Sequence, residues 1–175
     1  MIYWVFYTAG IGTLALVFAL SAWHKLSDFP RFKASLGAYR LFPESFVALV
    51  APFVIFLELA AIVELLLPLG SGSWLAFALL CLYTLAIAVN LLRGLREIDC
   101  GCGDRPTPLS GWLLLRNATL LVLALLLALP QDPVTTEPVF AAWALAAVLV
   151  LMMALFYLIV EQLLANQFIG ESHNG

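Results

Sequence analysis

From Val139 to Val160 the chain reads VFAAWALAAVLVLMMALFYLIV, without a single charge. A helix of about 20 residues crosses a bilayer core. Lipid offers no water to a bare backbone, so such a segment must satisfy its own hydrogen bonds as a helix. Moving upstream, the pattern repeats. Gly111 to Leu129 is apolar apart from Arg116, and Ser73 to Leu92 is uncharged throughout. Ser45 to Leu67 is interrupted only by Glu58 and Glu64, and Ile2 to Ala22 again carries no charge. Each stretch is long enough to cross. Five crossings predict an all-α, polytopic membrane bundle, and residues 1–175 form one such unit with no internal repeat. The composition agrees. Hydrophobic residues make up 64% of the 175 and charged residues 11%, with mean hydropathy +1.05. A soluble domain carries about 25% charged residues. An ordinary cytoplasmic enzyme, a disordered regulator and a nucleic-acid binder are excluded. The main partner implied is the lipid bilayer. Ala19-Leu20-Ser21 has some likeness to a signal-cleavage site. The start of the chain has no positive n-region and its apolar run is long, so the first stretch reads as a span.

The placement of charge sets an orientation. All eight Lys and Arg lie between positions 25 and 116. Lys25, Arg31, Lys33 and Arg40 fall in the first connection. Arg93, Arg96 and Arg105 fall in the third, and Arg116 lies one turn into the fourth span. The second and fourth connections have none. The positive-inside rule puts the first and third connections in the cytoplasm and the N-terminus outside, in a bacterial inner membrane. Trp4, Trp23, Trp74, Trp112 and Trp143 fall near span ends, as an aromatic belt requires.

Residues 28–42 read as a short amphipathic helix in the membrane interface. Asp28 can cap it, and Pro30 suits its first turn. Phe29, Phe32, Leu36 and Tyr39 recur on one face, and Pro43 ends it before the next span.

Chemistry concentrates in residues 93–110, a loop carrying Asp99-Cys100-Gly101-Cys102-Gly103. Two thiols one glycine apart are close enough to pair, in a small strained ring that is readily reduced. Arg93 and Arg96 favour the reactive thiolate, while Asp99 opposes it or takes a proton. The same pair can instead hold a soft metal such as Cu(I) or Zn(II). That gives an alternative reading, a non-enzymatic membrane subunit or soft-metal handler. Two thiolates fall short of the four ligands zinc usually takes. His24 and His173 are single histidines near span ends and read as interface residues. Cys81, in mid-span, reads as a small apolar packing residue.

Polar groups within the spans form a second signal. A carboxylate in lipid faces the bundle, pairs or is protonated, which makes Glu58 the stronger candidate and leaves Glu64 within reach of the interface. Asn90, Arg93, Arg116 and Asn117 lie at the cytoplasmic ends of the third and fourth spans, and Ser21 and Lys25 at that end of the first. Together they can line a polar pocket beneath the cysteine loop. Interhelical hydrogen bonding and snorkelling are the simpler use of the same residues.

Phe18-Ala19-Leu20-Ser21-Ala22-Trp23-His24-Lys25-Leu26, followed by Asp28, Phe32, Leu36, Tyr39 and Pro43, resembles the first half of the MauE family among DoxX-like membrane proteins. Pro52 and Glu58 resemble its second span. Asn90-Leu91-Leu92-Arg93-Gly94, then Asp99-Cys100-Gly101-Cys102-Gly103 and Leu115-Arg116-Asn117, is similar to its most specific motif string. The likeness covers roughly residues 15–125. Here Gly103 follows Cys102 at once, where family members often have another residue first, and Ser21-Ala22 replaces the usual Ser-Gly. The resemblance implies a helical bundle tied to thiol redox chemistry. It implies action beside a thioredoxin-like, MauD-like partner in maturing disulfide-rich periplasmic enzymes such as methylamine dehydrogenase. The charge count puts Cys100 and Cys102 on the opposite face from such a client, so either electrons cross the bilayer, with Cys81 or a quinone as the inner step, or the cysteine loop lies on the other side. The expected function is thiol–disulfide exchange by Cys100 and Cys102. Arg93, Arg96, Asp99, Glu58, Asn90, Arg116, Asn117 and Lys25 are the supporting residues.

Overall fold

The computed structural model describes residues 2–41, 43–67, 73–95, 98–99, 109–129 and 140–172. Among them are six helices and no strand: α1 (Ile2–Ser27), α2 (Phe29–Ala38), α3 (Glu44–Leu66), α4 (Trp74–Leu92), α5 (Gly111–Ala128) and α6 (Phe140–Ser172). Five of them, all but α2, are long and apolar enough to span a membrane. The five expected spans are therefore present. Two run further than hydropathy alone suggests. α1 continues through Trp23, His24 and Lys25 because the Lys25 side chain turns into the bundle, where it is 4% exposed. α6 extends past Val160 to Ser172.

α1 is the hub, packing against α2, α3, α5 and α6. Leu14 and Phe18 sit in one core with Ala61 and Leu65 of α3, Leu79 and Leu80 of α4, and Ala124 and Leu127 of α5. α6 lies along α1 through small residues. Val5 packs with Ala142 and Ala146, and the Trp4 and Trp143 rings meet edge to face at 4.6 Å. At Gly12 an added Cβ would come within 2.7 Å of Val150 Cγ2, so the two helices approach as closely as they do only because no side chain intervenes. Outward-facing Leu, Phe, Val and Met side chains are exposed along α3 and α6, the surface a bilayer would cover.

Four hydrogen bonds pin the helix ends. Glu64 Oε2 accepts from the Leu75 amide at 3.1 Å, placing a carboxylate at the α4 N-terminus, where free amides and the helix dipole favour it. Ser73 Oγ donates to the Ala124 carbonyl at 2.6 Å. At the other end, α4 closes in a Schellman motif. Gly94, at φ 75°, donates to the Leu91 carbonyl and Leu95 donates to that of Asn90.

α2 forms where expected. Asp28 Oδ1 accepts from the Arg31 amide at 3.1 Å, and Pro30 sits in the first turn. Its apolar face packs on the bundle. Phe32, with Phe29 and Leu36 beside it, seats against Ala51 and Ile55 of α3, and Ser35 is also buried. Bulky residues on α2 facing a small residue on α3 let the short helix lie against the bundle itself.

Candidate functional site

Glu58 is fully buried on α3. One of its oxygens, Oε1, gathers three donors from two other helices. Ser21 Oγ of α1 donates at 2.9 Å and Tyr83 OH of α4 at 2.8 Å, while Lys25 of α1 forms an ion pair with it. Lys25 Nζ also donates to Ser21 Oγ at 2.7 Å. The ammonium lies 5.1 Å from the centre of the Tyr83 ring and 5.4 Å from that of Phe32, so aromatic faces complete its shell. The helical spacing explains the arrangement. Ser21 and Lys25 are one turn apart and share a face. α3 and α4 run antiparallel, so the register that joins Glu64 to Leu75 also brings Tyr83 level with Glu58. A buried charge in hydrocarbon is costly unless paired, and this pair is neutral as a unit.

Of the polar pocket expected beneath the cysteine loop, Ser21, Lys25 and Glu58 come together. Asn90 and Asn117 are buried in the bundle. Asn90 Nδ2 donates to the Ala86 carbonyl at 2.9 Å. Arg116 Nη2 lies 3.4 Å from Asn117 Oδ1, and its guanidinium is 5.6 Å from the centre of the Tyr157 ring. Arg93 is exposed at the end of α4 and does not join the cluster. Among the described residues, Glu58 Oε2 and Asn90 Oδ1 are buried acceptors that receive no hydrogen bond.

A second constellation sits on α2. Asp99 Oδ2 receives Arg31 Nη2 at 2.9 Å and Arg31 Nε at 3.1 Å, a two-nitrogen grip on one oxygen. Ser35 Oγ lies 3.5 Å from the same oxygen. Tyr39 is buried one turn further on, with Ile87, Leu109 and Leu113. Its phenol is held well above the ordinary range, first by burial and then by the Asp99 charge, with Arg116 opposing. The Leu109 amide donates to the Ile98 carbonyl at 3.2 Å, tying the two ends of the intervening segment together.

Cys100, Cys102 and Arg96 lie outside the described residues. Cys81 is a free, half-buried thiol on α4. Among the described residues no three His, Cys, Asp or Glu side chains gather as a metal site would require. Reasoning from the sequence missed Tyr83, Arg31 and Ser35. Tyr83 is a phenol in mid-span, away from the aromatic belt, and that position was the available signal. Arg31 and Ser35 sit four apart on α2, a spacing that marks one face, but nothing in the sequence shows that Asp99 meets it.

The model of the family described as methylamine utilisation protein MauE matches residues 3–130. A methylamine utilization protein MauE from Methylophilus methylotrophus is 40% identical over 99 residues, 55% of this chain and 52% of that protein. The one from Paracoccus denitrificans is 39% identical over 122 residues, 66% of this chain and 64% of that protein. The one from Methylorubrum extorquens is 36% identical over 126 residues, 69% and 68% of the two chains. The chain thus matches between about half and two thirds of the length of these relatives. No solved structure matches it.

Proposed function

The chain belongs to the MauE family, and on that premise we propose that it is an inner-membrane thiol–disulfide exchange protein. Cys100 and Cys102 cycle between dithiol and disulfide against a thioredoxin-like, MauD-like partner. One thiolate attacks the partner's disulfide to give a mixed disulfide, and the other resolves it. The pair on this chain ends oxidised and the partner ends as a dithiol, with two electrons and two protons transferred. The reverse sequence reduces the pair. The relatives are named for methylamine utilization, and the client we propose is the one the family resemblance implies, a disulfide-rich periplasmic enzyme such as methylamine dehydrogenase.

The observation that carries this reading is the anchoring of the residue next to the first thiol. Asp99 is held by Arg31 of α2, and the Ile98–Leu109 hydrogen bond ties the two flanks of the cysteine segment to each other. Incidental loop cysteines have no need of such support. The charge distribution puts this segment in the cytoplasm and the N-terminus outside. Delivery to a periplasmic client then needs two electrons to cross the bilayer, which is the chemistry a quinone supplies.

The test is a count of alkylatable thiols before and after reduction, followed by trapping with Cys100→Ser and Cys102→Ser. A reversible pair, and a mixed disulfide captured by one of the single-Cys variants, are expected. Thiols that stay blocked to reductant and open only to a chelator would replace exchange with metal binding.

A further inference from the structure

We propose that the outer face of α2, with Lys33 and Arg40 flanking Gly37, is a docking surface for the phosphate headgroup of an anionic membrane phospholipid. The inference goes beyond the thiol-exchange reading and does not depend on it.

α2 lies between the end of one candidate span, at Ser27, and the start of the next, at Glu44, so it sits at the membrane surface. Its inner side is occupied. Phe29, Phe32 and Leu36 pack on Ala51 and Ile55, two to three turns into α3, so the helix lies beside the start of that span, at headgroup level. Arg31 is turned to Asp99, and Lys25 of α1 to Glu58. Lys33 and Arg40, the other two basic residues of this connection, are exposed, as are Ala34 and Ala38. Trp23 and Leu26, exposed near the end of α1, add aromatic and apolar surface of the kind found at the interface. The flanking acids serve helix starts. Asp28 accepts the Arg31 amide at 3.1 Å, and Glu44 lies in the first turn of α3, where the helix dipole favours a carboxylate.

Two local choices in α2 work against its own stability. Gly37 stands within the helix, although its φ is not left-handed and no described residue beyond its own helix comes within 4 Å of where a Cβ would be. Neither backbone angle nor packing calls for glycine there, and glycine is a poor helix former. Arg40 follows the C-cap Tyr39 at φ 49°, the left-handed position that glycine or asparagine usually fills. A helix built for stability alone would carry its glycine at 40 and a helix former at 37. The observed arrangement leaves open space over residue 37 with an arginine tied to it, since the Arg40 amide donates to the Gly37 carbonyl at 3.0 Å. Lys33 is one turn before Gly37. An anion can approach the helix closely at Gly37 and meet a positive charge on each flank. Lipid is the occupant because the face lies beside a span at headgroup depth, where Lys and Arg gain from anionic lipid.

Native mass spectrometry of the full-length chain in mild detergent measures retention of phosphatidylglycerol and of phosphatidylcholine with the same acyl chains. The parent should hold phosphatidylglycerol at least about 20-fold more tightly. Lys33→Gln and Arg40→Gln should each weaken that hold by about fivefold, and Arg93→Gln, an exposed arginine at the end of α4, by less than about twofold. Gly37→Leu keeps every charge and fills the open space, so it should weaken retention by about fivefold while raising the unfolding temperature. Arg40→Gly should also weaken retention and raise the unfolding temperature, since it removes the charge and the left-handed arginine together. Soluble glycerol phosphate at the same concentration should displace no lipid. Equal retention of the two lipids, a Lys33→Gln/Arg40→Gln chain that binds like the parent, or an equal loss from Arg93→Gln overturns the proposal. So does a Gly37→Leu chain that retains lipid as the parent does, or an Arg40→Gly chain less stable than the parent. Displacement by glycerol phosphate would make the site one for a free phosphate and overturns it too.

Discussion

Replacing Glu58 with Leu should destabilise the folded bundle by about 3 kcal/mol, and the figure can be built from the structure. The change strands three donors at once, Lys25 Nζ, Ser21 Oγ and Tyr83 OH. Side-chain hydrogen bonds in membrane bundles average about 0.6 kcal/mol each, so three give a floor of about 2 kcal/mol. Removing one partner of a buried ion pair in a soluble protein costs about 3–5 kcal/mol, because the remaining charge stays unpaired. Lys25 is 4% exposed but lies in the last turn of α1, so part of its charge can be relieved by snorkelling. That places the value near the bottom of the soluble range. Glu58→Gln keeps an acceptor for Ser21 and Tyr83 while losing the charge opposite Lys25, and should fall between parent and Glu58→Leu. The diagnostic case is Lys25→Met combined with Glu58→Leu. It removes both charges, so it should be more stable than Glu58→Leu alone and should show strong coupling in a double-mutant cycle. The assay is reversible unfolding of purified protein in mixed micelles, followed by far-UV circular dichroism. A Glu58→Leu protein within about 1 kcal/mol of the parent, below the hydrogen-bond floor, would refute the claim that this pair supports the fold. So would a double variant as weak as the two single changes added.

Two further outcomes are expected. Gly12→Ala should lower thermal stability by about 1–3 kcal/mol through the contact with Val150, and Val150→Ala should restore most of it; equal stability of Gly12→Ala and parent would show that α6 shifts freely. A membrane-impermeant thiol reagent applied to intact spheroplasts should miss Cys100 and Cys102 and label them after lysis; labelling of the reduced protein before lysis would reverse the orientation.

The sequence made the spans legible for a simple reason. Hydropathy over the length of a span is a property of composition, and lipid leaves a chain no choice but helix over such a run. The cap of α2 was legible too, because Asp28 and Pro30 act on residues within one turn of themselves. What the sequence shows poorly is pairing across helices. Lys25 and Glu58 are 33 residues apart and Arg31 and Asp99 are 68 apart, so each stands out as an anomaly without naming its partner. Lys25 could be sorted with Ser21 by spacing, yet its carboxylate depended on the register of α1 against α3, which small residues such as Ala61 set by packing. Arg31 shows the deeper reason. As one of four basic residues in the first connection it served the orientation argument fully, and a topology signal gives no hint that the same guanidinium also grips a side chain. Net charge per loop sums over residues, whereas a site depends on where each one points. The residues that carry the expected orientation therefore include one that is bound to Asp99, and only the fold separates the two uses.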